Sequence, residues 1–111
     1  MTIPPTPDFK PELGQRLEHA LLKAANLSSE ALRLERLAKR VYAACYIAAE
    51  GTVAEREARA RTALKFTEAE DAYISAQHAA NVAEAEAEGL RVRFETFRSL
   101  NATRRAEMQI R

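Results

Sequence analysis

The chain has 111 residues and a mass of 12.4 kDa, with 30% charged residues and a net charge of +1. That is room for one domain, and it excludes a strongly basic or acidic tail protein. Aromatics are 6%, tryptophan is absent and only 3 glycines occur, a composition poor for a β-sandwich or barrel and suited to helices.

All 4 prolines lie in residues 1–11, so residues 1–7 read as an extended arm. Asp8 is placed to cap a helix, its carboxylate accepting an orphan N–H of the first turn. Pro11 fits that same turn, where its missing donor does no harm.

A helical stripe follows. Leu13, Leu17, Ala20, Ala24, Leu27, Ala31, Leu34, Ala38, Val41, Cys45 and Ala48 succeed one another at alternating spacings of 4 and 3. This is a heptad seam, and it runs through Asn26-Leu27-Ser28-Ser29 without losing phase. A first helix is expected over 9–49. Gly51 suits the left-handed conformation just past a helix end. Thr52-Val53-Ala54-Glu55 matches the T-x-x-E capping box that opens a helix. Stop and start signals side by side predict a tight reversal at 50–52.

The second helix is expected over 53–109. Its seam is Phe66, Ala69, Tyr73, Ala76, Ala80, Ala83, Ala87, Leu90, Phe94 and Phe97, and it decays at Asn101, Arg104 and Met108. At about 1.5 Å per residue this helix is longer than the first, so it must overhang or bend. Gly89 is the candidate bend. Folding the chain about residue 51 sets Gly14 opposite roughly position 88, which would put two glycines at one level as a close approach or a hinge.

An alanine-rich seam buries little apolar area. The run Val41 to Ala49 is apolar around the whole helix, so one partner helix covers only part of it. The expected fold is therefore all-α: a long antiparallel helical hairpin, coiled-coil-like, with a basic C-terminal helical extension, assembled as a homo-oligomer. The expected oligomer interface is Val41, Tyr42, Cys45, Tyr46, Ile47, Phe94 and Phe97. The competing arrangement is a monomeric three-helix bundle with residues 90–110 folded back.

Charge is segregated along the chain. Residues 1–49 carry +2, residues 50–88 carry −5 and residues 89–111 carry +4. The basic end uses arginine alone, which binds phosphate bidentately. Arg91, Arg93, Arg98, Arg104 and Arg105 are the candidate nucleic-acid-binding residues. Phe94 and Phe97 interleave with them, an arrangement used for single-stranded nucleic acid, although their seam phase also suits a core. Arg33, Arg36, Lys39 and Arg40 form a second basic stretch, also readable as a solvated helix face with pairs such as Glu35–Lys39.

No glycine-rich phosphate loop, HExxH or CxxC occurs. His19 and His78 belong to no metal spacing, and Cys45 on the seam reads as a buried small hydrophobe. No cofactor, metal or enzymatic activity is expected. One cysteine suits a reducing cytosol. The N-terminus lacks a basic start and an apolar core, so no secretion signal is read, and no apolar run approaches a membrane span.

Two stretches carry a resemblance. Tyr46-Ile47-Ala48-Ala49-Glu50-Gly51-Thr52-Val53-Ala54-Glu55-Arg56 and Arg98-Ser99-Leu100-Asn101-Ala102-Thr103-Arg104-Arg105-Ala106-Glu107-Met108 resemble small helical proteins of tailed bacteriophages, among them the UvsY-like recombination mediator family. The resemblance implies a small oligomer in the bacterial cytoplasm that binds single-stranded DNA and helps load a recombinase or annealing protein. Arg98, Arg104 and Arg105 would be the matching basic positions. The alternative is a helical adaptor that binds a protein partner and no nucleic acid. Secreted helical hairpins with Trp-x-Gly at a central turn fit less well, because this turn reads Ala49-Glu50-Gly51.

Overall fold

The computed structural model describes residues 12–110, which form α1 (Glu12–Ala48), α2 (Val53–Thr62) and α3 (Leu64–Ile110), with no strand among them. The arm at 1–7, the Asp8 cap and Pro11 lie outside the described residues. α1 and α3 run antiparallel. Near one end Tyr42 of α1 meets Phe66 of α3 edge-on, with ring centroids 5.2 Å apart. At the other end Gly14 faces the Phe94 ring. The molecule measures 83 × 20 × 15 Å, with a radius of gyration of 24.2 Å. A compact chain of this length has a radius near 13 Å.

The two seams lie between the helices as their periodicity requires. Every seam position of α3 from Phe66 to Phe97 is buried or half-buried, as is every seam position of α1 except Ala48. Among the described residues the buried ones are Leu13 and seven alanines, Ala24, Ala31, Ala38, Ala60, Ala80, Ala83 and Ala87. Ala24, Ala31 and Ala38 recur every seventh residue, so in three successive α1 heptads the same position is a methyl group. Small residues there let two helices approach closely. Among the described residues no large side chain is fully buried. Ser28 stays within α1 and donates a hydrogen bond across to Glu84 Oε1 at 2.8 Å.

The turn uses the residues expected of it. Gly51 has φ 117°. The Glu55 N–H donates to Thr52 Oγ1 at 3.3 Å, capping α2. The Arg59 guanidinium donates to the Glu50 carbonyl at 3.0 Å, holding the loop from the other side.

Two expectations are corrected. The return helix is not continuous from 53, because Ala63 leaves the helical region with φ −63° and ψ 133°. The helix breaks there for lack of a seam. Extending the α3 seam backward from Phe66 lands on Thr62, Arg59 and Glu55, all polar. The break rephases the chain, burying Ala60 completely and freeing Arg59 for the Glu50 carbonyl. Thr62 supports it by turning its hydroxyl onto the Ala58 carbonyl at 2.9 Å, and the Thr67 N–H opens the new helix by donating to the Ala63 carbonyl at 3.0 Å.

The second correction concerns Gly89. α3 runs through it without interruption, so residues 90–110 do not fold back as a third bundle helix. Nor do the glycines face each other: nothing lies within 4 Å of a Cβ built on Gly89. The inserted α2 moves the register, and Phe94 comes opposite Gly14 instead.

Candidate functional site

The basic segment lies at the far end of α3. The Gly14–Phe94 contact puts Glu12 level with the residues just past Phe94, so α3 continues for roughly 20 Å beyond Glu12, the first described residue of α1. Arg91, Arg98 and Arg105 stand seven residues apart and share one side of the helix. Arg93 and Arg105 are exposed, and Arg104 is half-buried.

These arginines differ in what they touch. Arg91 is held by two carboxylates of its own helix, Glu88 at i−3 and Glu95 at i+4. Hydrogen bonding to Arg91 holds the Glu88 carboxyl below the usual carboxylate range, and the same bonds raise the Arg91 guanidinium further. Arg98 lies over the Phe94 ring, 6.0 Å from its centroid. Phe94 and Phe97 are half-buried. They sit on the seam, with Phe94 packed toward Gly14, so neither ring stands clear as a stacking platform for a base.

The expected oligomer surface at 41–49 is divided by the fold. Val41, Tyr42, Cys45 and Tyr46 are half-buried. Phe66 covers Tyr42, and the Arg56 guanidinium lies over the Tyr46 ring at 5.8 Å. Ile47 is 77% exposed, and Ala43, Ala44 and Ala48 are exposed beside it. The hairpin thus covers the inward half of this segment and leaves the outward half bare. Beside it, an open groove of about 640 Å³ has apolar walls of Tyr42, Phe66, Tyr73 and Ile74 and a charged rim of Glu35, Lys39, Arg61 and Glu70.

Other features lay outside the reach of the seam pattern. Leu21, Leu22, Leu32 and Leu37 fall off the stripe of α1 and are 41–61% exposed. Their spacing carried the signal, since each sits between seam positions. The second basic stretch separates into partnered and unpartnered groups. Arg33 makes a two-pronged pair with Glu30, whose carboxyl it lowers by hydrogen bonding, and Lys39 pairs with Glu35 at 3.2 Å. Arg36 and Arg40 make no ion pair among the described residues. Arg56 and Arg59, which clamp the turn, announced themselves by no periodicity at all.

Among the described residues no three of His, Cys, Asp and Glu converge on a point that could hold a metal ion. No described helix is long and apolar enough to cross a membrane. Comparison with known proteins finds no matching family, no matching curated protein and no matching solved structure.

Proposed function

We propose that this chain is a non-catalytic assembly protein: its copies associate side by side, and the basic end of α3 binds single-stranded DNA as an accessory to a phage-type recombinase or annealing protein. The observation that carries the DNA reading is the pair Arg98 and Arg105, seven residues apart on the part of α3 that reaches past Glu12, continuing a row begun by Arg91 beside α1. Each subunit offers few phosphate contacts, and assembly multiplies them through effective concentration.

Anisotropy of a labelled oligothymidine at low salt tests this. Binding at or below about 10 µM that weakens steeply with salt supports the reading. Arg98→Glu with Arg105→Glu should weaken binding at least about tenfold while the helicity stays unchanged. Absence of binding, or binding indifferent to salt, would overturn it.

The adaptor reading is favoured by a different observation, the apolar groove between Tyr42, Phe66, Tyr73 and Ile74. Under that reading Tyr42→Glu removes binding of a protein partner and Arg104→Glu does not.

A further inference from the structure

The outer faces of the two long helices match each other. Two residues on from the seam positions Leu27, Ala31, Leu34 and Ala38, a rotation of about 200°, stand Ser29, Arg33, Arg36 and Arg40, all exposed. Two residues on from Phe66, Ala69 and Tyr73 stand Glu68, Asp71 and Ser75, also exposed. Each row points directly away from the hairpin's own interior.

Each row also holds an uncompensated like-charge pair. Arg36 and Arg40 are neighbours at i, i+4, and Glu68 and Asp71 at i, i+3, spacings at which like charges repel. None of the four makes an ion pair among the described residues. The Tyr42–Phe66 and Gly14–Phe94 contacts give the register across the hairpin: Arg40 is level with Glu68, and Arg36 is level with the residue after Asp71.

We infer that the outer face of α1 in one copy docks on the outer face of α3 in the next, with no shift along the long axis. Arg40 then meets Glu68 of the neighbouring copy, and Arg36 meets its Asp71. Small residues at Ser29 and Ser75 let the helices approach. Because one face meets a different face, the contact is heterologous, and repetition gives a ring if the rotation closes and a filament if it does not. All copies point the same way, so their basic α3 ends gather at one edge. The inference rests on the assembly reading above and names its interface.

The test is sedimentation equilibrium of the full chain at low salt, with helicity followed by circular dichroism. The wild-type chain is expected as a multimer of the 12.4 kDa unit. Arg36→Glu with Arg40→Glu, or Glu68→Arg with Asp71→Arg, should weaken self-association at least about tenfold. The fourfold variant that exchanges all these charges should restore the multimer, which a folding defect would not do. A wild-type chain sedimenting as a single unit overturns both this interface and the assembly reading. A multimer unchanged by either pair of substitutions, or not restored in the fourfold variant, overturns the interface alone. So does an Arg36→Glu, Arg40→Glu chain that keeps its mass but loses oligonucleotide binding, which would make that face a phosphate surface.

Discussion

Gly14 and Phe94 meet across the hairpin: a Cβ built on Gly14 would lie 3.8 Å from Phe94 Cε2, ordinary van der Waals contact. The glycine is therefore not required by the packing, and it costs the helix about 1 kcal/mol relative to alanine. Gly14→Ala is expected to raise stability by about 0.5–1 kcal/mol, read as a higher denaturation midpoint. Gly89→Ala, with open space around it, should gain a similar amount. A loss at position 89 would restore the hinge that the structure lacks.

The buried alanines set how closely the helices approach. Ala31 is 1% exposed and Ala80 is wholly buried. Ala31→Leu or Ala80→Leu must push the helices apart, at a cost of about 1–3 kcal/mol. Ala79→Leu, on an exposed position of the same helix, should stay within about 0.5 kcal/mol of the parent. Urea denaturation of the three variants checks the ordering, and equal effects at 79 and 80 would sink the close-packed seam.

The break at Ala63 makes an unusual substitution acceptable. Leu64 opens α3 and is 71% exposed. Proline is favoured at a first helical position and needs its predecessor in extended conformation, which Ala63 already has at ψ 133°. Leu64→Pro should leave the thermal midpoint within a few degrees of the parent. In an uninterrupted helix the same change would cost about 3 kcal/mol, so the measurement separates the two connections.

At the turn, Gly51 holds φ 117°, which an L side chain rarely adopts. Gly51→Ala is expected to destabilise by about 1–2 kcal/mol. Thr52→Ala removes the oxygen that accepts the Glu55 N–H and should cost about 1 kcal/mol. If neither change lowers the urea midpoint, the turn does not depend on these two residues.

Arg91 holds the Glu88 carboxyl below its ordinary value. A carboxyl lowered in the folded state favours folding above its unfolded value, and that contribution disappears as pH falls through the folded value. Carbon NMR titration should show Glu88 protonating at lower pH than a free glutamate. Arg91→Gln should move its midpoint upward, and an unmoved midpoint would show that the pair does not persist in solution.

Most of the architecture was legible in the primary chain because two helical stripes with a period of 3.5 leave a narrow choice. A residue such as Ala24 or Ala83 has only one direction in which its methyl group escapes water, so the inward faces followed from spacing alone. Gly51 and Thr52 marked the end of α1 and the start of α2 through local chemistry, a φ and a cap, that does not depend on distant contacts. The arginine-rich end of α3 was equally visible as composition.

What spacing could not supply was relation between distant residues. The interruption at Ala63 has no Gly or Pro to announce it; it exists because burying Ala60 and binding Arg59 to the Glu50 carbonyl outweighs one more turn of helix. That inserted element moved the register, so Phe94 rather than Gly89 came opposite Gly14. The same register set Arg40 level with Glu68, whereas the clasp of Arg91 by Glu88 and Glu95 lies within one helix and follows from spacing. Local propensity and ion pairing at i, i+3 and i, i+4 are properties of neighbours in sequence, whereas register is decided only when two long helices come to rest against each other.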